Sequence, residues 1–184
     1  MLVVETTSGC WPVDLGGVCT YAFSIRYEDR ELNSGSGVAC VGGGNCNSVL
    51  AEYHGLIKAL EWLVGSGRKD EPLIVRTANV IMAYQLEGGI RVTRPYEEVY
   101  RRASELLNMF PWSVELVNAG EISIEYMALD AYVRYMDEHP EIAARYREFL
   151  ASEEEVARLR ELGFKPHKYL SKFEYEEMLR QAST

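Results

Sequence analysis

The chain has 184 residues, a formal net charge of −9 and a hydrophobic content of 47%. This length is enough for one domain with a sizeable core plus an appendage. A protein that mainly grips the nucleic-acid backbone is more often basic. The acidic balance therefore argues against that class, although a local basic patch can override the total charge.

No apolar run approaches the roughly 18–20 residues that span a bilayer. The chain does not open with basic residues followed by an apolar stretch, which is the pattern of a secretory signal. We therefore expect a cytoplasmic protein with no membrane association.

Three strands are predicted before the first helix. The apolar segment 2–5, the β-branched and aromatic segment 18–27 and the segment 37–42 each fit a strand. Turn-forming residues separate these segments, so we expect an antiparallel meander.

Helices and strands alternate after the meander. Apolar residues recur at helical spacing over 49–64, with one buried face. The pattern then predicts a strand at 72–76, a short helix after Asn79, a helix at 96–109, a strand at 113–119 and a helix at 124–136. This order is typical of an α/β fold with a mixed five-stranded sheet, in which three antiparallel strands precede parallel ones and helices flank both faces.

The sequence changes character near residue 139. Residues 139–184 contain amphipathic helical patches and no strand-like run, and Ser152 with Glu155 fits a capping box. We predict a domain over 1–138 and a C-terminal helical extension over 139–184.

The cysteines are Cys10, Cys19, Cys40 and Cys46. No two of them form a CxxC pair, so a zinc site is not expected. We interpret them as small residues in or near strands, with disulfides an alternative if the host is a hyperthermophile.

Several segments resemble the ribonuclease H family, in particular its archaeal-type branch of type 1 enzymes. They are CWPVDLGG (10–17), LAEYHGLIKALEWL (50–63) and ANVIMAYQLEGG (78–89). The resemblance implies a ribonuclease H-like fold. It also implies a site in which four carboxylates hold two divalent metals and hydrolyse the RNA strand of an RNA–DNA hybrid.

The family's carboxylate positions are only partly filled. Glu52 matches the glutamate of the first helix. The other three positions correspond to Thr7, Ala78 and Ala128, none of which has a carboxylate. The resemblance therefore predicts a degenerate active site.

Two shifts of the alignment would recover carboxylates. Sliding the first strand by two residues places Glu5 at the position of Thr7. A two-residue insertion places Asp130 at the position of Ala128, and we favour this second placement. Residual catalytic candidates are thus Glu52, Asp130 and Glu5, with weak metal binding at Glu52 and Asp130. Each residue also has an ordinary structural interpretation. Glu52 would be a glutamate near a helix N-terminus, Asp130 an exposed helix residue and Glu5 a charge at the edge of a strand.

The resemblance also identifies candidate substrate contacts. Asn47 and Ser48 stand where the family holds the hybrid near its 2′-hydroxyl groups, and Asn79 follows the lost aspartate position. Arg76 is a candidate for a phosphate contact, with an ordinary surface arginine as the alternative.

These observations predict a ribonuclease H-like protein that is not catalytic. It would bind nucleic acid or protein, with an active relative as one candidate partner, and no cofactor is expected. The alternative is a weak ribonuclease H that cleaves the RNA strand of RNA–DNA hybrids with Mg²⁺ or Mn²⁺.

Overall fold

The computed structural model describes all of residues 1–184. No helix is both long and apolar enough to cross a membrane. The strands are β1 (Leu2–Trp11), β2 (Val18–Tyr27), β3 (Arg30–Val41), β4 (Leu73–Thr77) and β5 (Trp112–Leu116). The helices are α1 (Ser48–Gly65), α2 (Val80–Leu86), α3 (Glu97–Leu107), α4 (Glu125–Glu138), α5 (Pro140–Arg145), α6 (Glu153–Glu161) and α7 (Lys172–Ala182).

The five strands form one mixed sheet in the order β3-β2-β1-β4-β5. The first three strands pair antiparallel, while β1 pairs parallel with β4 and β4 with β5. The predicted fold class is therefore confirmed.

The main core lies between the sheet and α1. Leu2 and Val4 of β1 pack there against Tyr53 and Leu56 of α1, and all four side chains are buried. Because side chains alternate along a strand, the neighbouring residues of β1 face the opposite layer, which is formed by α4.

A second apolar cluster joins the α4 layer to the C-terminal segment. Trp11 stacks on Tyr132 with ring centroids 5.1 Å apart. Ile142 and Tyr146, which follow α4, pack into the same cluster as Val18. The side chains of the extension thus complete a core that begins in the sheet.

Polar contacts hold the last two helices in place. The Tyr132 hydroxyl donates to the Tyr169 carbonyl at 2.9 Å, and Lys168 pairs with Asp137 at 2.9 Å. Ser171 begins α7 with a capping box that it forms with Glu174.

Two strands are longer than predicted. The prediction ended β1 near residue 5 and began β3 near residue 37, whereas β1 runs to Trp11 and β3 begins at Arg30. The added residues are mostly small or polar, so they give no hydrophobic signal. In β3, Gly35 and Gly37 lie under aromatic rings of β2, where an added Cβ would approach Phe23 and Tyr21 to 2.9 and 2.8 Å.

The cysteines form two disulfides, Cys10–Cys19 and Cys40–Cys46. The sequence left this pairing as an alternative to small unbridged residues. Cys10 lies directly opposite Cys19 in the β1–β2 ladder, a proximity that only the strand register could reveal.

Replacement of Ser171 by alanine should lower the free energy of unfolding by about 1 kcal/mol, as for other N-cap losses. The Ser171 hydroxyl accepts a hydrogen bond from the Glu174 backbone N–H at 3.0 Å, and it is buried. Urea unfolding followed by circular dichroism would measure the change. Ser183→Ala, at the exposed C-terminal end of α7, is the matched control. Equal effects of the two substitutions would contradict the prediction.

Candidate functional site

The alternation of β1 divides the candidate residues between two faces of the sheet. Thr6 and Ser8 point toward α1, where both donate hydrogen bonds to Glu52. Glu5 and Thr7 point toward the α4 layer. Glu5 and Thr7 therefore share a face, as the sequence predicts, but it is the face opposite to Glu52.

Glu52 is an internal hydrogen-bond acceptor. Its side chain is only 3% exposed, in the second turn of α1. It accepts hydrogen bonds from the hydroxyls of Thr6 at 2.9 Å, Ser8 at 3.1 Å and Thr77 at 2.5 Å. These three donors come from β1 and β4, so one carboxylate joins the helix to both strands.

Burial raises the pKa of Glu52 above its ordinary value of 4.5, because desolvation disfavours the charged form. Hydrogen bonds from Thr77, Thr6 and Ser8 favour the charged form and oppose part of this increase.

Glu5 is occupied by partners on its own face. It is 4% exposed and receives hydrogen bonds from Arg76 at 3.0 Å and from the Ser123 backbone and hydroxyl, each at 2.9 Å. Arg76 also lies 3.4 Å from a carboxylate oxygen of Glu115. The arginine predicted as a phosphate contact thus lies between two glutamates.

The three positions without carboxylates lie close to one another. Ala78 and Ala128 pack in one apolar cluster with Ile122 and Ile124. Thr7 and Ala128 line a cleft of about 410 Å³. The sheet edge where the family's carboxylates are expected is therefore lined largely by apolar and hydroxyl groups.

Asp130 is directed away from this cleft. It is exposed, whereas Ala128, Tyr132 and Met136 occupy the buried side of α4 at helical spacing. Ala128, and not Asp130, therefore faces the sheet. No three carboxylates, including Glu5, Glu52 and Asp130, have oxygens within 4.8 Å of one another.

The predicted substrate contacts have roles within the fold. Asn47 caps α1 by accepting from the Leu50 N–H at 3.0 Å, and it donates to the Tyr96 hydroxyl at 2.9 Å. The Ser48 carbonyl accepts from Ser8 at 2.8 Å. Asn79 caps α2 by accepting from the Met82 N–H at 3.0 Å.

Two carboxylates that the sequence did not single out line the cleft beside Thr7. They are Glu125, at the start of α4, and Glu174, in α7. Burial acts to raise the pKa of Glu174, but the His167 ring, 3.6 Å away, and a hydrogen bond from the Ser171 backbone N–H outweigh it and lower the pKa overall. Only the packing of the C-terminal extension brings Glu174 to the sheet, so no local sequence signal indicated it.

Replacement of Glu52 by glutamine should change the pH dependence of stability. The pKa of Glu52 is raised in the folded state, so the folded protein binds this proton more tightly than the unfolded chain does. The wild type therefore loses stability relative to the variant as the pH rises from 4.5 through the folded-state pKa. Below and above this range, the difference in unfolding free energy between the two proteins does not change with pH. Urea titrations of both proteins across this range would measure it, with the exposed Glu87→Gln as control. A difference between wild type and Glu52→Gln that does not vary with pH would contradict the prediction.

Replacement of Arg76 by alanine should destabilise the fold by about 2 kcal/mol, since Glu5 would stay buried without its charged donor. Arg102→Ala is the matched control, because its contact with Glu61 is exposed and such pairs contribute less than about 1 kcal/mol. Chemical unfolding of the two variants would compare them. Similar losses would show that the Glu5–Arg76 pair contributes no more than a surface contact.

Comparisons with known proteins identify the fold. No protein-family model matches the sequence, and no curated protein does. Among solved structures, the N-terminal RNase H domain of a Mycobacterium tuberculosis protein, solved as a fusion with maltose-binding protein, is 22% identical with a TM-score of 0.64, and the match covers 74% of this chain and 96% of that one. The metagenomic LC11-RNase H1 bound to an RNA/DNA hybrid is 18% identical with a TM-score of 0.64, over 74% of this chain and 99% of that one.

RNase H1 from the archaeon Halobacterium salinarum is 21% identical with a TM-score of 0.60, over 71% of this chain and 96% of that one. These relatives are covered almost completely, while about a quarter of the present chain has no counterpart in them. The chain therefore has the ribonuclease H-like fold, with additional C-terminal helices.

Proposed function

We propose that this protein is a non-catalytic ribonuclease H-like module that works by binding. The observation that carries the proposal is the use of Glu52. The only carboxylate retained at a family position, in the gapless placement, accepts three hydroxyl donors in a site that is 3% exposed. Its oxygens hold secondary structure together, and they are not directed into an open cleft.

The side chains at the family's ligand positions do not fit a pair of divalent metals. Mg²⁺ requires several hard oxygen ligands in octahedral geometry, and two-metal catalysis requires carboxylates that bridge or flank both ions. Ala78 and Ala128 offer no side-chain oxygen, and Glu5 is neutralised by Arg76 on the far side of the strand. We therefore derive no hydrolytic step for these residues.

A protein is the partner that the surface favours. The chain carries a charge of −9, and Arg76 is paired with glutamates. Asn47 and Asn79 are engaged as helix caps. Nucleic acid would thus meet a surface of net negative charge on which Arg76 and the Asn47 amide are already paired, although LC11-RNase H1 itself binds a hybrid.

Exposed apolar side chains provide candidate contacts for a protein partner. Val80, Ile81 and Tyr84 of α2 are 45–49% exposed, and Phe173 of α7 is 68% exposed. Such side chains suit contact with another protein better than contact with a phosphate backbone.

Incubation of the purified protein with a labelled RNA–DNA hybrid, in Mg²⁺ and separately in Mn²⁺, should give no cleavage. Glu52→Gln should behave in the same way, because Glu52 does not serve a metal. The 184-residue protein should be confirmed as folded by circular dichroism, and an active ribonuclease H should be run on the same substrate. Cleavage by the wild type that disappears in Glu52→Gln would overturn the proposal.

A weak ribonuclease H activity is the second candidate, and one observation favours it. Glu125 and Glu174 line the same cleft as Thr7 and Ser8, so carboxylates are present there from new positions. Cleavage that persists in Glu52→Gln but is lost in Glu125→Gln/Glu174→Gln would identify that site and replace the non-catalytic proposal.

A further inference from the structure

We propose that the four cysteines form a redox-controlled zinc site. In the oxidised protein they are paired as two disulfides, and in the reduced protein their four thiolates bind one Zn²⁺ ion. This inference is independent of the proposed function, because the cluster lies on the α1 face and does not line the cleft beside Thr7.

The sheet brings three of the cysteines into one row. Cys10, Cys19 and Cys40 lie on β1, β2 and β3, and the register pairs Cys19 with both of the others. Directly paired residues of adjacent strands point to the same face. Cys46 reaches this row from the loop that connects β3 to α1.

The sulfur atoms converge closely enough for a common metal. The Sγ atoms of Cys19, Cys40 and Cys46 all lie within 4.8 Å of one another. Cys10 is joined to Cys19 by a disulfide, so its Sγ lies beside this group. In a tetrahedral site with Zn–S bonds of about 2.3 Å the sulfurs are roughly 3.8 Å apart, so short side-chain movements would suffice.

The surroundings favour a soft cation with thiolate ligands. Cys19 is fully buried and Cys46 is 3% exposed, and the cluster packs against Ala39 and Ala51. No carboxylate or imidazole belongs to the group of converging ligands. Four thiolates with tetrahedral access are the ligand set of structural zinc sites, whereas Mg²⁺ and Ca²⁺ require oxygen.

The exchange between the two states balances as ordinary thiol chemistry. Each disulfide is reduced by one dithiol reductant, which supplies two electrons and two protons and is itself converted to a disulfide. The four thiols then lose four protons as one Zn²⁺ ion binds, so binding is favoured by higher pH. Reoxidation by a disulfide reverses both steps and releases the metal.

The cluster lies beside the start of α1. Cys46 immediately precedes Asn47, the N-cap of α1, and Ala51 of the first turn packs on the sulfurs. Glu52 is the next residue. A change from disulfides to a metal would therefore act on the loop and the helix that position Asn47 and Glu52.

The test begins with the full-length protein reduced anaerobically by a phosphine that is then removed. Titration with Co²⁺ should saturate at one equivalent, with thiolate-to-cobalt charge-transfer absorption and the visible bands of a tetrahedral site. Addition of Zn²⁺ should abolish these bands. The oxidised protein, treated identically, should show none.

A single substitution tests the ligand assignment. Cys46→Ser should weaken cobalt binding roughly 100-fold or more, because four ligands share the large binding free energy of such sites. Asn45→Ala, at the exposed neighbouring position, should bind like the wild type. Circular dichroism of each reduced protein shows whether the fold persists.

Three results would overturn the proposal. The first is that the reduced protein, folded or unfolded, takes up no cobalt. The second is a cobalt spectrum without thiolate bands. The third is cobalt binding that is unchanged in Cys46→Ser. The hybrid-cleavage result does not bear on any of them, so the zinc site and the proposed function fail separately.

Discussion

The structure depends on the carboxylate of Glu52 and its three hydroxyl partners. A buried carboxylate is costly unless its oxygens are satisfied. Here Thr6, Ser8 and Thr77 satisfy them from β1 and β4, across the join where the antiparallel part of the sheet meets the parallel part. The contact fixes α1 in rotation and translation on the sheet, and the apolar side of the helix follows into the core. Both oxygens of Glu52 thus accept hydrogen bonds from within the fold.

A buried carboxylate is also satisfied by hydrogen bonds on the opposite face of the sheet. Glu5 is buried and is held by Arg76 and by Ser123, which precedes α4. Both inward-facing glutamates therefore attach a helical layer to the sheet, one on each side. The apolar cluster that contains Ala78 and Ala128 lies on the same face as Glu5, against α4.

The sequence predicted the elements whose apolar residues repeat clearly. The bounds of β2 match the predicted segment, because 18–27 is rich in β-branched and aromatic residues, and Ser152 forms the predicted capping box with Glu155 at the start of α6. The second half of β1 was missed, since its polar residues are satisfied by Glu52, a partner 46 residues away from Thr6. The placement of Asp130 followed a plausible apolar stripe, but packing selects Ala128 for the buried side. The sulfur cluster arises from strand register alone, so no spacing motif could reveal it.

The apolar cluster between the sheet, α4 and the C-terminal segment determines which parts of the chain can change independently. Val18 of the sheet, Tyr132 of α4 and Tyr146 of the C-terminal segment pack together, and the Tyr146 hydroxyl donates to the Gly16 carbonyl. A chain truncated before α5 would expose part of Val18 to water, because Ile142 and Tyr146 pack against it. A substitution in the β1–β2 loop and one in the segment around Tyr146 would therefore affect each other through this contact.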